Sequence, residues 1–126
     1  MNTLQINTTE RSPEIFFDFD NNNFIIKGES YPEDVKEFYG PPLTKLEDYL
    51  NDLEDADVRF TFEFIYFNSS TAKILMGLFE LLDEVAERGN TVSVIWVYEE
   101  DDDNMEELGE EFGEDLEHAT FIMQAQ

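Results

Sequence analysis

The sequence predicts a mixed α/β fold, a sheet of four or five strands with helices packed on it. Three observations predict it. Residues 58–67, VRFTFEFIYF, set Phe60, Phe62 and Phe64 against Arg59, Thr61 and Glu63, the alternation of a strand with one buried face. Residues 74–85 place Ile74, Leu75, Leu78, Leu81, Leu82 and Val85 at three- and four-residue spacing, the apolar stripe of a helix. Residues 91–98, TVSVIWVY, are apolar enough for a central strand. A strand, a helix and a strand in that order require parallel pairing through a right-handed crossover.

The remaining elements follow along the chain. Residues 3–6 form a short first strand. Residues 14–20 and 24–28 are aromatic and β-branched runs separated by Asn21, Asn22 and Asn23. Asn tolerates positive φ at low cost, so this is a β-hairpin. Ser30, Pro32, Glu33 and Asp34 signal a helix start, with Val35, Phe38 and Tyr39 on its apolar side. Gly40, Pro41 and Pro42 are expected to break that helix. A second helical piece spans residues 43–53, carrying Leu43, Leu46, Leu50 and Leu53. Residues 64–67 are apolar on both faces, as in a central strand. The helix after Thr71 runs to Arg88 and stops at Gly89. Residues 99–103 form an acidic loop. Met105, Leu108 and Phe112 mark a weak final helix, since Gly109 and Gly113 lower its propensity. Residues 119–123 form a last short strand.

The chain has 126 residues, enough for a single domain over 1–126. Hydrophobic residues make up 41% and include 12 Phe, enough for a packed core. Asp and Glu number 31 against 7 Lys and Arg, a formal net charge of −24. Such a field repels nucleic-acid backbones and anionic bilayers and attracts basic partners or cations. There is no Cys, which excludes disulfides, thiol catalysis and thiolate metal sites, and a lone His118 excludes His-rich ones. The start, MNTLQINTTERSPE, lacks an apolar stretch, and no run is long enough to span a bilayer. A cytoplasmic protein without membrane insertion is expected.

Asn68, Ser69, Ser70 and Thr71 fall where a buried strand gives way to an amphipathic helix. Helix capping alone accounts for these residue types. A hydroxyl at such a junction also suits a regulatory phosphate, which meets free N–H groups and the positive end of the helix dipole. Phosphate adds about −1.5 to −2 charges. Against −24 that hardly alters the global field, so its effect is local.

Four motifs together give the chain a family likeness: GESYPE at residues 28–33, YFNSSTAK at 66–73, VSVIWVY at 92–98 and EEFGED at 110–115. In this order, over nearly the whole length, they resemble the SiaC family. These are bacterial biofilm-regulating phosphoproteins with a STAS-like fold, that of anti-sigma factor antagonists. The resemblance implies a non-enzymatic switch without a cofactor. Its unphosphorylated form would bind a diguanylate cyclase and promote cyclic-di-GMP synthesis. A partner Ser/Thr kinase would phosphorylate the hydroxyl residue after the Asn, and a PP2C-type phosphatase would reverse it. That residue is Ser69 here, where the family pattern has Thr; the neighbouring Ser70 offers the same hydroxyl. Asn68, Ser70 and Thr71 would flank and cap the site. The fold also fits an anti-sigma factor antagonist that binds a sigma-regulating kinase.

An acidic metal-binding domain is a third reading. Asp18, Asp20, Asn22 and Glu29 occupy positions 1, 3, 5 and 12 of an EF-hand-like loop. The turn position carries Asn23 instead of Gly and the flanks are strand-like, so a hairpin fits better. The acids at 99–103 with Glu106, Glu107, Glu110, Glu111 and Glu114 read as a solvated loop and helix face, with cation binding as the alternative. His118 is expected at the surface or in a structural role, and Trp96 in the core.

Overall fold

A computed structural model describes residues 2–126. Its elements are β1 (Thr3–Ile6), β2 (Glu14–Asp18), β3 (Asn23–Ser30), α1 (Val35–Asn51), β4 (Asp57–Phe67), α2 (Ser69–Glu87), β5 (Thr91–Tyr98), α3 (Asp103–Glu114) and β6 (Thr120–Ala125). The strands lie in sequence order across one six-stranded sheet. The pairs β1–β2 and β2–β3 are antiparallel, and β3–β4, β4–β5 and β5–β6 are parallel. The expectation of four or five strands was low because both short terminal segments join the sheet. Four residue pairs tie β1 to β2 and six tie β6 to β5. Edge pairing of this kind is a tertiary gain that local propensity does not report.

From β3 onward the sheet grows in one direction, each strand reached through a helix. Right-handed crossovers repeated in one direction put every helix on the same face. The core confirms the layering. Ile15, Phe17, Phe24, Ile26, Phe60, Phe62, Val94 and Trp96 from the strands pack with Leu46, Leu50, Leu75, Phe79 and Leu82 from the helices. The opposite face carries one register row, Phe16, Ile25, Thr61, Ile95 and Ile122, across five strands.

The hairpin forms as expected, with Asn22 at φ 53° in its turn. The expected break at Gly40-Pro41-Pro42 does not occur. Helix α1 is continuous, with Pro41 and Pro42 inside it. Each proline removes a helical N–H donor. The helix survives because Tyr39, Pro42, Leu46 and Leu50, on both sides of the break, are buried in the same core.

The final helix is also firmer than its glycines suggest. A methyl group at Gly109 would overlap the Trp96 indole, and one at Gly113 would overlap the Phe121 ring. The glycines let α3 lie directly on the sheet. Trp96 Nε1 donates to the Met105 carbonyl at 3.0 Å, and the Trp96 and Phe112 rings stack at 5.7 Å. The acidic loop ends one residue earlier than expected. Asp102 caps α3, its carboxylate accepting from Met105 N–H at 3.0 Å, and Asp103 is helical.

Candidate functional site at the start of helix α2

Strand β4 delivers the chain to this site through an irregularity. Its pairing with β5 ends at Phe62 opposite Trp96. Its register with β3 slips between Gly28 and Glu29, so that Phe64 faces Gly28, Tyr66 faces Glu29, and Ile65 is left over. This is a β-bulge. Residues 64–67 are therefore not buried on both faces. Phe64 and Phe67 are buried, while Ile65 and Tyr66 are 67% and 51% exposed. The Tyr66 ring meets that of Tyr31 edge-on at 6.0 Å.

Helix α2 opens directly after Phe67. Asn68 is the N-cap, its side-chain oxygen accepting from Thr71 N–H at 2.9 Å. Ser69 and Ser70 are exposed, and Thr71 is fully buried. The four residues singled out from sequence thus separate into a cap, two accessible hydroxyls and one anchor.

The anchor belongs to a buried network that sequence reading missed. Thr71 Oγ1 donates to the Ser30 carbonyl at 3.1 Å. Ser30 Oγ lies 2.9 Å from Thr71 Oγ1 and 2.6 Å from the Tyr39 hydroxyl. With the Thr71 proton committed to the carbonyl, Ser30 donates to Thr71 and Tyr39 donates to Ser30. Each hydroxyl proton is used once and no oxygen is stranded. The backbone N–H of Asn68 also donates to the Ser30 carbonyl, at 3.1 Å. Burial drives the Tyr39 pKa up to about 12, against the opposing pull of the Ser30 and Thr71 hydroxyls. Tyr39 therefore stays a donor at any physiological pH. The signal for this network was the serine inside GESYPE, a polar residue ending an otherwise apolar strand. Two motifs of the family likeness, 28–33 and 66–73, are joined through it.

The first turn of α2 carries no acidic residue, whereas α1 has Glu37 and α3 has Asp103 and Glu106 in theirs. In so acidic a chain this leaves one helix N-terminus open to an added anion. Lys73, exposed and four residues after Ser69, is a near neighbour on the helix surface.

At the far end of α2, Asp83 fixes the loop before β6. Its carboxylate accepts from the backbone N–H groups of His118 at 2.8 Å, Ala119 at 2.9 Å and Glu117 at 3.2 Å. Burial raises its pKa, but the three N–H donors and the nearby His118 outweigh that and leave it lowered. Between α2 and α3 runs a groove of about 590 Å³, floored by Phe79, Leu108 and Phe112.

The calcium-like pattern comes apart in space. Asp18, Asp20 and Asn22 lie at the hairpin turn, where Asp18 accepts from Asn21, Asp20 from the Asn2 backbone, and Asn22 from the Tyr49 hydroxyl. Glu29 stands six residues along β3 from Asn23, roughly 20 Å away. A strand extends where an EF-hand loop would fold back. Among the described residues no group of three or more acidic, His or Cys side chains is placed to hold a metal ion. The acids Glu107, Glu110, Glu111 and Glu114 are exposed along α3. His118 is exposed, 3.9 Å from Glu87. Trp96 is buried in the core. Among the described residues no helix is long and apolar enough to cross a membrane.

Comparison with known proteins gives one consistent result. A family profile described as SiaC family regulatory phosphoprotein matches residues 6–126. An uncharacterised protein of Pseudomonas aeruginosa strain UCBPP-PA14 is 33% identical over 118 residues, covering 91% of this chain and 90% of its own. The crystal structure of apo-SiaC from Pseudomonas aeruginosa superposes with a TM-score of 0.88 at 34% identity, covering 99% of this chain and 100% of that one. The crystal structure of the diguanylate cyclase SiaD in complex with its activator SiaC, also from Pseudomonas aeruginosa, aligns at 32% identity and a TM-score of 0.91. That match covers 98% of this chain and 99% of the other. The match to the family profile and to these relatives spans the buried Ser30–Tyr39–Thr71 network and the exposed serines beside it, and the chain belongs to the SiaC family of regulatory phosphoproteins.

Proposed function

We propose that this chain, acting as one cytoplasmic domain over residues 1–126, is a non-enzymatic activator of a diguanylate cyclase. In this reading the unphosphorylated form binds the cyclase through the start of α2 and the exposed side chains beside it. A Ser/Thr kinase transfers phosphate to Ser69 and releases the cyclase, and a PP2C-type phosphatase restores binding. The cyclase comes from likeness to SiaC, the activator in the complex with SiaD. The phosphoswitch comes from the family description.

The observation that carries the choice of residue is the division of hydroxyls at the α2 N-terminus. Thr71 is sealed in a hydrogen-bonded network, whereas Ser69 is exposed in the first turn. A kinase needs an acceptor it can reach. Ser69 also follows the capping Asn directly, as in the family pattern, which favours it over Ser70. Ile65 and Tyr66, exposed just before the helix, supply apolar contact area of the kind a partner covers.

The switch acts through hydration. A phosphate dianion on Ser69 is well served by water and by the first-turn N–H groups. A partner packed over it strips that water away, and an incompletely paired buried charge costs several kcal/mol. Every 1.4 kcal/mol is tenfold in affinity, so a few kcal/mol release the complex.

The test is phosphopeptide mapping by mass spectrometry after incubation with the cognate kinase, followed by cyclase binding. One phosphate on Ser69, with binding lost in that form and kept in Ser69→Ala, is the expected result. Phosphorylated protein that binds the cyclase as tightly as unmodified protein sinks the switch. Phosphate on Ser70 alone moves the acceptor by one residue.

A further inference from the structure

We propose that the groove between α2 and α3 receives a helix of a partner protein, one with an apolar stripe flanked by Lys or Arg. The inference rests on the reading that this side of α2 is a contact surface, and it names what that surface takes.

The argument begins with the floor. Phe79, Leu108 and Phe112 line the trough, and Met76 stands on its margin 56% exposed. An exposed Met beside buried aromatic rings is costly to leave in water and adapts readily to an incoming side chain. The walls are two packed helices, so the trough is long and straight, the shape that accepts the i, i+3, i+4, i+7 ridge of a third helix.

The rim decides the chemistry. Glu80 and Glu84 stand on the α2 side and Glu111 on the α3 side, and no Lys or Arg lines the groove. Small-molecule sites converge a few mixed donors and acceptors on one point. Here the polar groups near the opening are carboxylates spread along two margins, which suits a cationic element with charge on both flanks. The chain's net charge of −24 would steer such a partner from a distance. Ala72, three residues after Ser69, opens the groove at its upper end. Groove contacts and the phosphoacceptor therefore share a helix without sharing residues.

The test titrates the labelled whole protein, followed by amide NMR shifts, with a synthetic amphipathic Leu/Lys helical peptide. A scrambled peptide of the same composition serves as control. The expected result is shift changes concentrated on residues 72–84 and 108–116, with the scrambled peptide about tenfold weaker. Met76→Asp should weaken the patterned peptide about tenfold, and Ile122→Asp, on the open sheet face, should leave it within about twofold. Shifts centred on the open sheet face, equal binding of both peptides, or indifference to Met76→Asp each overturn the groove. Both variants sit at exposed positions, so loss of folding does not confuse the comparison. Cyclase binding by the unmodified protein is scored separately. Its absence removes the proposed function and leaves the peptide map to judge the groove.

Discussion

At the residue scale, two hydroxyls two positions apart have opposite physical roles. Ser69 is exposed, and Ser69→Ala should change unfolding free energy by less than about 0.5 kcal/mol. Thr71 is buried and feeds its proton to the Ser30 carbonyl. Thr71→Val removes that donor and should cost about 1–3 kcal/mol. Tyr39 adds a pH dependence with a definite sign. Its folded pKa of about 12 lies above the ordinary value of 10.0. In that interval the folded state holds a proton that the unfolded state has released. The contribution is full below pH 10 and disappears as pH climbs through 12. Chemical denaturation between neutral pH and pH 11.5 should show stability falling above roughly pH 10, by on the order of 2 kcal/mol. Tyr39→Phe should flatten that limb; an unchanged slope in the variant assigns the loss to other groups. Sequence alone marked Ser69 and its neighbours correctly because capping chemistry is local. It could not separate Thr71 from Ser69, because that distinction depends on Ser30, 41 positions away, arriving from another strand.

At the element scale, propensity and packing disagree in two helices, and packing wins both times. Pro41 and Pro42 forecast a break in α1, yet Tyr39 and Leu46 dock on one core and keep the axis continuous. Gly109 and Gly113 forecast a frail α3, yet they are the condition for its seat on Trp96 and Phe121. Gly109→Ala makes the conflict measurable. Ala should gain up to about 1 kcal/mol in helix propensity. Its methyl would overlap the indole ring, and overpacking of that kind costs about 1–3 kcal/mol or more. The variant is therefore expected to be less stable in urea unfolding, with altered Trp96 fluorescence. A more stable variant would mean α3 shifts freely on the sheet. By contrast β4, α2 and β5 were legible from sequence, because their periodicities of two and 3.6 agree with what they bury. The bulge at Ile65 was not legible. Residues 64–67 are apolar throughout, and only the register slip against Gly28 turns two of the four outward.

At the scale of the whole molecule, charge is the property most plainly written in the composition and least tied to any one contact. Only Lys27–Glu63, at 3.7 Å, pairs Lys or Arg with a carboxylate within 4.0 Å among the described residues. The other acids repel one another across the surface, notably along α3, where Glu107, Glu110, Glu111 and Glu114 are exposed. Self-repulsion at −24 opposes the compact state, since unfolding spreads the charges apart. Salt shortens the reach of that repulsion from about 30 Å at 0.01 M to about 10 Å at 0.1 M. The melting temperature should therefore rise as sodium chloride increases from about 0.01 M to about 0.5 M, most steeply at the low end. Sodium and potassium chloride should act alike, because screening depends on ionic strength. The same salt range should weaken binding of the Leu/Lys helix. One ion acting in opposite directions on folding and on association is the signature of a fold held by its apolar core and a surface shaped to attract basic partners. A melting temperature that stays flat across this range would show that the acidic groups are spaced widely enough not to interact. The steering argument for the groove would then have to rest on its local carboxylates alone.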